Sequence, residues 1–112
     1  MDILKIYSWD ENLPENHTGI IEYNNTMVYY LKGKYHKEDG PSIIRKNGTM
    51  VYYLNGLRHK EDGPAAIYPD GTVFYYINDK DITEEVKDWI IENNIPEIWN
   101  NSHKILFKLT FG

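Results

Sequence analysis

Thr49-Met50-Val51-Tyr52-Tyr53-Leu54-Asn55-Gly56-Leu57-Arg58-His59-Lys60-Glu61-Asp62-Gly63-Pro64 decides the fold, because the chain repeats it. The first half stands upstream as Thr26-Met27-Val28-Tyr29-Tyr30-Leu31-Lys32-Gly33 and downstream as Thr72-Val73-Phe74-Tyr75-Tyr76-Ile77-Asn78-Asp79. The second half stands upstream as His36-Lys37-Glu38-Asp39-Gly40-Pro41. Thr26, Thr49 and Thr72 are spaced by 23 positions, as are His36 and His59, with no gap. A fixed period of that length marks supersecondary units that bury their faces by stacking on each other. One more step back sets Tyr7 at the place of Tyr30, Tyr53 and Tyr76, with Ile6 at the place of Tyr29. Residues 3–18 therefore read as a worn first copy, followed by units at 19–41, 42–64 and 65–82 and a tail at 83–112, all within a single domain spanning 1–112.

Each unit is punctuated as a hairpin. Asn24-Asn25, Asn47-Gly48 and Asp70-Gly71 are residue pairs that tolerate positive φ, and they predict two-residue turns. Asn55-Gly56, with Lys32-Gly33 and Asn78-Asp79 in the same place, predicts a second turn per unit. The runs between them are β-branched and aromatic, as strands require. Glu61-Asp62-Gly63-Pro64 interrupts the second strand. Proline cannot donate to a ladder and glycine allows irregular backbone, so a bulge or bend is expected there.

The period, the Asn-Gly turn, the histidine after it and Tyr68-Pro69-Asp70-Gly71 resemble MORN repeats and their variants, over residues 19–80 and more faintly over 3–18. Where those units carry His-Gly-x-Gly, this chain has His-Lys-Glu-Asp-Gly-Pro, a variant similar to repeat proteins of large DNA viruses that end in a helical tail. The resemblance implies a mainly β fold: an antiparallel meander of tandem hairpin repeats, twisted as in MORN proteins, with a C-terminal helical tail packing on one face. It implies an interaction module, scaffold or platform without enzymatic activity.

In the tail, Thr83 suits a helix N-cap, and Glu84 and Glu85 follow in the first turn, where the dipole favours acids. Val86, Trp89, Ile90 and Asn93 make one stripe that ends near Asn94, before Pro96. Residues 102–111 fit two readings. Ile105, Phe107, Leu109 and Phe111 alternate as in a strand, while Ile105, Leu106 and Leu109 suit a helix capped by Ser102, which the resemblance favours.

Composition narrows the functional classes. The 112 residues include no cysteine, which excludes thiol chemistry and disulfides. A net charge of -5, with the 12 basic residues scattered among acids, disfavours nucleic acid and anionic membranes as partners. Met1-Asp2-Ile3-Leu4-Lys5 has neither the basic leader nor the apolar run of a signal peptide, and no segment suits a membrane span. A cytoplasmic, soluble protein is expected, and its Asn-x-Ser/Thr triplets are expected to serve as turns.

Candidate binding residues follow from the repeat. Alternation puts Thr26, Val28 and Tyr30 with their equivalents on one face, and Met27, Tyr29 and Leu31 with theirs on the other. The second face is the greasier and is expected to lie under the tail, over Leu31, Leu54 and Ile77 alike. Tyr30, Tyr53 and Tyr76 would then form a half-exposed stripe. His36, Lys37, His59 and Lys60, beside acids, are the other candidates. Equivalent residues lie two strands apart, roughly 9–10 Å. A metal needs its ligands within about 2.0–2.2 Å, so His36 and His59 cannot share an ion. His17 and His103 stand outside the period. No metal, cofactor or catalytic residue is expected, and a hydrolase is the least expected class, because rows of identical groups do not converge on one point as catalysis needs. The leading expectation is a non-catalytic protein–protein interaction or scaffold module whose partner the residues do not identify. Open sheet edges would also allow a homodimer. The alternative is a binder or sequestering protein for a nucleotide or another small anion, in a Tyr/Lys-lined cleft between sheet and tail.

Overall fold

Hairpin turns set the chain's path, and the backbone angles show which residues make them. In the computed structural model, which describes residues 3–5 and 17–112, Asn24 and Asn25 take φ 49° and 60°, Asn55 and Gly56 51° and 82°, and Asn78 and Asp79 48° and 69°. Both residues of each pair are left-handed, as a two-residue turn between twisted strands demands. Lys32 and Gly33 do the same.

Asn47-Gly48 and Asp70-Gly71 depart from the expected two-residue turn. Only their glycines take positive φ, 98° and 89°. Gly48 N donates to Arg45 O and Arg45 N to Thr49 O, closing a three-residue loop, and Gly71 and Tyr68 repeat the arrangement. The cause lies in the side chains. Asn47 Oδ1 accepts Thr49 N–H and Asp70 Oδ1 accepts Thr72 N–H, both at 2.9 Å, so neither residue needs to turn left-handed itself. The longer loop changes the register by one residue: Val28 faces Ile21, whereas Val51 faces Ile43 and not Ile44.

The strands are β1 (Ile3–Lys5), β2 (Gly19–Tyr23), β3 (Thr26–Leu31), β4 (Lys34–Tyr35), β5 (Ile43–Ile44) and β6 (Met50–Val51). They continue as β7 (Tyr53–Leu54), β8 (Leu57–Arg58), β9 (Ala66–Ile67), β10 (Val73–Phe74), β11 (Tyr76–Ile77) and β12 (Lys80–Asp81). Among the described residues, eight strands form one sheet in the order β1-β2-β3-β5-β6-β9-β10, with β4 also on β3; β7–β8 and β11–β12 form two-stranded ladders. All pairs are antiparallel except β1, which lies parallel to β2 with Ile3 facing Ile20. β1 therefore runs against the direction that its place in the repeat would give it. The rest of the worn copy, including Ile6, Tyr7 and Trp9, lies outside the described residues.

Both faces of the sheet are used for packing. Ile21, Val28, Ile43, Val51, Ala66 and Phe74 face one another in one row, of which Ile21, Val28, Ile43 and Ala66 are buried. On the same face, Tyr35 stands 5.3 Å from Tyr30 and 5.1 Å from Tyr53, ring centre to ring centre.

The tail is two helices, α1 (Thr83–Glu92) and α2 (Asn101–Phe111). They settle on one face, but only at the end of the array. Tyr75, Ile82, Val86, Trp89, Ile95 and Phe107 form the core there, with Val73, Ile77, Trp99 and Phe111 packed against it. Leu31 and Leu54 stay half-buried away from the tail, so the expected cover over all three units is corrected to a cap over the last. Fully burying side chains of this size stabilises by roughly 1.5–3 kcal/mol each.

The caps differ from expectation too. The residue before α1 is Ile82, with no side-chain cap; Thr83 instead turns its hydroxyl to Asp81 Oδ1. For α2 the cap is Asn100 and not Ser102, in a reciprocal box with His103. The helix reading of 102–111 holds, but its buried residue is Phe107, while Ile105 and Leu109 face solvent.

Candidate functional site

The bend motif has its geometry set by one tyrosine in each unit. His36 N donates to Tyr29 O, the chain loops out through Lys37 to Pro41, and Ser42 O then accepts Tyr29 N–H. Tyr52 is gripped in the same way by His59 N and Ala65 O. The loop folds back on its own tyrosine, with Lys37 Nζ 4.3 Å from the centre of the Tyr29 ring and Lys60 Nζ 4.3 Å from that of Tyr52. Asp39 and Asp62 stand 3.7 Å from those ammonium groups. A lysine held over a ring face and beside a carboxylate is already in a favourable place, so these lysines act first as struts.

The histidines lock each unit to the next. His36 Nδ1 accepts the N–H of Asn55, and His59 Nδ1 that of Asn78, both at 2.9 Å. Tyr35 O and Arg58 O accept the N–H of the following turn residue, Gly56 and Asp79. A ring nitrogen that accepts a backbone N–H carries no proton, so the ring's own proton sits on Nε2. In His59 that nitrogen lies 3.2 Å from Glu61 Oε1, and in His36 3.6 Å from Glu38 Oε1. His59 and Lys108 together hold the Glu61 carboxyl below its usual range. Arg58 adds a third link, with Nε 2.6 Å from Asp79 Oδ1, which keeps that carboxyl low as well.

Residues outside the period complete the seam. Thr18 Oγ1 accepts Lys32 N–H and His17 O accepts Gly33 N–H, which is the work of a histidine and its preceding carbonyl in the later units. No periodic signal marks Thr18, because it precedes its turn by 14 positions where the histidines precede theirs by 19. At the other end, Thr83 Oγ1 accepts Tyr75 N–H, replacing the carbonyl of a missing strand.

The structure splits the candidate binding residues between two faces. Lys37, His59 and Lys60 line a groove of about 480 Å³ between the two bends, floored by Tyr52 and Leu54. Tyr30, Tyr53 and Tyr76 lie on the opposite face, half-buried, and they do not form one flat exposed stripe. Tyr30 is bracketed by His17 and Tyr35, and Arg58 lies over Tyr76 at 4.2 Å. Burial, with Tyr35 beside it, pushes the Tyr30 phenol up to about 12, so it keeps its proton at neutral pH.

A second cleft, of about 400 Å³, opens between the last bend and the tail. Lys60, Lys104, Asp62 and Glu97 supply its charge, and Tyr75 and Trp99 its aromatic wall. Trp99 was not foreseen as a lining residue; it stacks on Tyr75 at 6.1 Å and 12°. Among the described residues, no three His, Cys, Asp or Glu side chains gather as metal ligands would, and no helix is long and apolar enough to cross a membrane. Comparison with family models, curated proteins and solved structures returns no match.

Proposed function

We propose that this chain is a non-catalytic protein–protein interaction module, in which the repeat sheet is a rigid support and the helical tail presents the contact surface. One observation carries the reading. Five large aliphatic side chains of the tail, Ile91, Ile98, Ile105, Leu106 and Leu109, stand exposed, against only Leu57 and Tyr68 in the described sheet. Concentrated apolar exposure of that kind marks contact surfaces. The polar rows of the array are meanwhile engaged in holding unit to unit. The motif resemblance to MORN repeats agrees with an interaction role.

Affinity capture with the parent and with an Ile105→Ser/Leu109→Ser variant tests this. Both residues are exposed, so the variant keeps the parent's melting temperature within about 2 °C. A specific protein should be retained by the parent and lost by the variant. Equal retention by both overturns the reading.

A second reading, a small-anion or nucleotide binder, rests on the cleft beside Trp99. Two carboxylates there offset two lysines, which weakens its attraction for an anion. A multi-degree thermal shift with a nucleotide, abolished by Lys104→Ala, would favour it.

A further inference from the structure

We infer that the open edge of β10 receives an extended segment of another protein, seated where the array lacks its next strand, with one uncharged side chain in the cleft beside Trp99. Among the described residues, β10 ends the sheet and pairs with β9 alone. Tyr68 N–H on Thr72 O and Ala65 N–H on Phe74 O turn the carbonyls of Thr72 and Phe74 toward β9. Backbone groups alternate sides along a strand, so the N–H and C=O of Val73 point away from β9, at the sheet's edge. Neither finds a partner among the described residues. The equivalent positions upstream are occupied, Met27 facing Ile44 and Met50 facing Ile67.

The array itself displays what fits. Ile43–Ile44 beside β3 and Ala66–Ile67 beside β6 hold the corresponding place, each an apolar pair. A residue opposite Val73 shares its face of the sheet. On that face lies the cleft of about 400 Å³, lined by Val73, Tyr75 and Trp99. Its charges are matched, Lys60 standing 3.7 Å from Asp62 and Glu97 offsetting Lys104, so the lining selects an uncharged side chain. A second folded copy suits this edge less. Thr83 Oγ1 closes it at Tyr75 N–H, and so short an edge blunts pairing between folded sheets. A flexible segment can bend past Thr83 and needs only the two bonds to Val73 and the cleft, which is strand addition in its simplest form.

A synthetic peptide, Pro-Ser-Ile-Ile-Arg-Lys, copied from Pro41–Lys46, tests the inference by NMR titration of the full chain. It should bind saturably, with a Kd of about 1 mM or tighter. At saturation the Val73 N–H should exchange at least about fivefold more slowly, while that of Met50, already paired, keeps its rate. In the register of the array the second isoleucine faces Val73 and donates to its carbonyl, and the N–H of the first points away. N-methylation of the second should therefore weaken binding at least about tenfold, and of the first less than about twofold. Ile105→Ser/Leu109→Ser should leave the peptide's affinity unchanged, because the edge is separate from the tail's exposed aliphatics. Absence of saturable binding would overturn the site, as would equal effects of the two methyl groups. So would a Val73 N–H already protected in a dimer seen by light scattering, since a second copy would then hold the edge. None of these outcomes touches the interaction reading, which falls with equal retention of the captured protein by parent and variant.

Discussion

Tyr52 and Tyr75 hold the same place in successive units, yet their surroundings have little in common. Tyr52 lies under Lys60 at the edge of a polar groove, with its N–H on the carbonyl of Ala65. Tyr75 is buried, with Trp99 stacked on its ring, Phe107 beside it and its N–H on the hydroxyl of Thr83. The array interior is held by a recurring seam of hydrogen bonds plus thin apolar rows. The array end is held by a compact aromatic core. A repeat can stack on its neighbour indefinitely, and its last copy needs a different cover.

The largest test of this contrast removes the cover. Truncation after Asp81 should strip Tyr75, Val73 and Ile77 of their packing while sparing Leu31 and Leu54. Amide exchange should then accelerate across 65–81 and change little across 19–45. Uniform acceleration would mean that the tail supports the whole sheet. A milder form, Phe107→Ala, should cost about 3–5 kcal/mol in a denaturant melt.

The seam comes next. His59→Ala leaves the part-buried N–H of Asn78 without its acceptor and should cost about 1–3 kcal/mol. His36→Ala should cost less, because the Asn55 N–H is exposed and water can replace the ring. Thr18→Ala should behave like a weakened histidine deletion, at about 0.5–1.5 kcal/mol. If all three are neutral, the units are joined by strand pairing alone.

Gly56→Val places a β-branched residue at φ 82°, with about 1–3 kcal/mol of strain. Gly63, at φ 159°, also lies where L side chains are rarely found; an added Cβ would meet only Lys60 Nζ at 3.7 Å, so Gly63→Ala carries the backbone strain alone, about 1 kcal/mol, less than the β-branched change at Gly56. Equal losses at both glycines would show that the turn and the bend constrain the chain alike.

The smallest effect is electrostatic. Hydrogen bonds from Arg58, through its side chain first and its backbone second, hold the Asp79 carboxyl below its ordinary value. A depressed carboxyl contributes stability above its unfolded value, near 3.9, and loses it as pH falls through the lower folded value. Asp79→Asn should therefore flatten the melting temperature against pH below about 4 and leave the profile near 7 little changed in shape. An unaltered acid limb would mean that solvent screens this exposed pair completely.

The repeat, its phase and the second turn of each unit are legible in the residues, because turn chemistry and strand alternation are local. Asn55-Gly56 needs no neighbour to prefer left-handed backbone. The first turn misled for a local reason as well: Asn47 and Asp70 can either adopt positive φ or bond the amide two residues on, and the strands they join decide between the two. The histidines of the bend are visible by their period, but their acceptor role is not, since it depends on a turn in another unit. Thr18 carries no mark in the sequence at all.

By itself, the sequence determined a hairpin array followed by a helix from Thr83, through a 23-residue period and the propensities of short segments, and it left residues 102–111 open between strand and helix. Tertiary structure decided the rest. It settled the tail over Tyr75 alone and turned Phe107 inward while leaving Ile105 and Leu109 outside, and it parted the tyrosine stripe from the histidine and lysine rows. The physical reason is that helical spacing makes two or three apolar stripes equally available on α2, and only the surface it meets selects one. That surface is a tyrosine, a valine and an isoleucine left bare where the next strand is missing, and large aromatic rings fill it better than branched aliphatics.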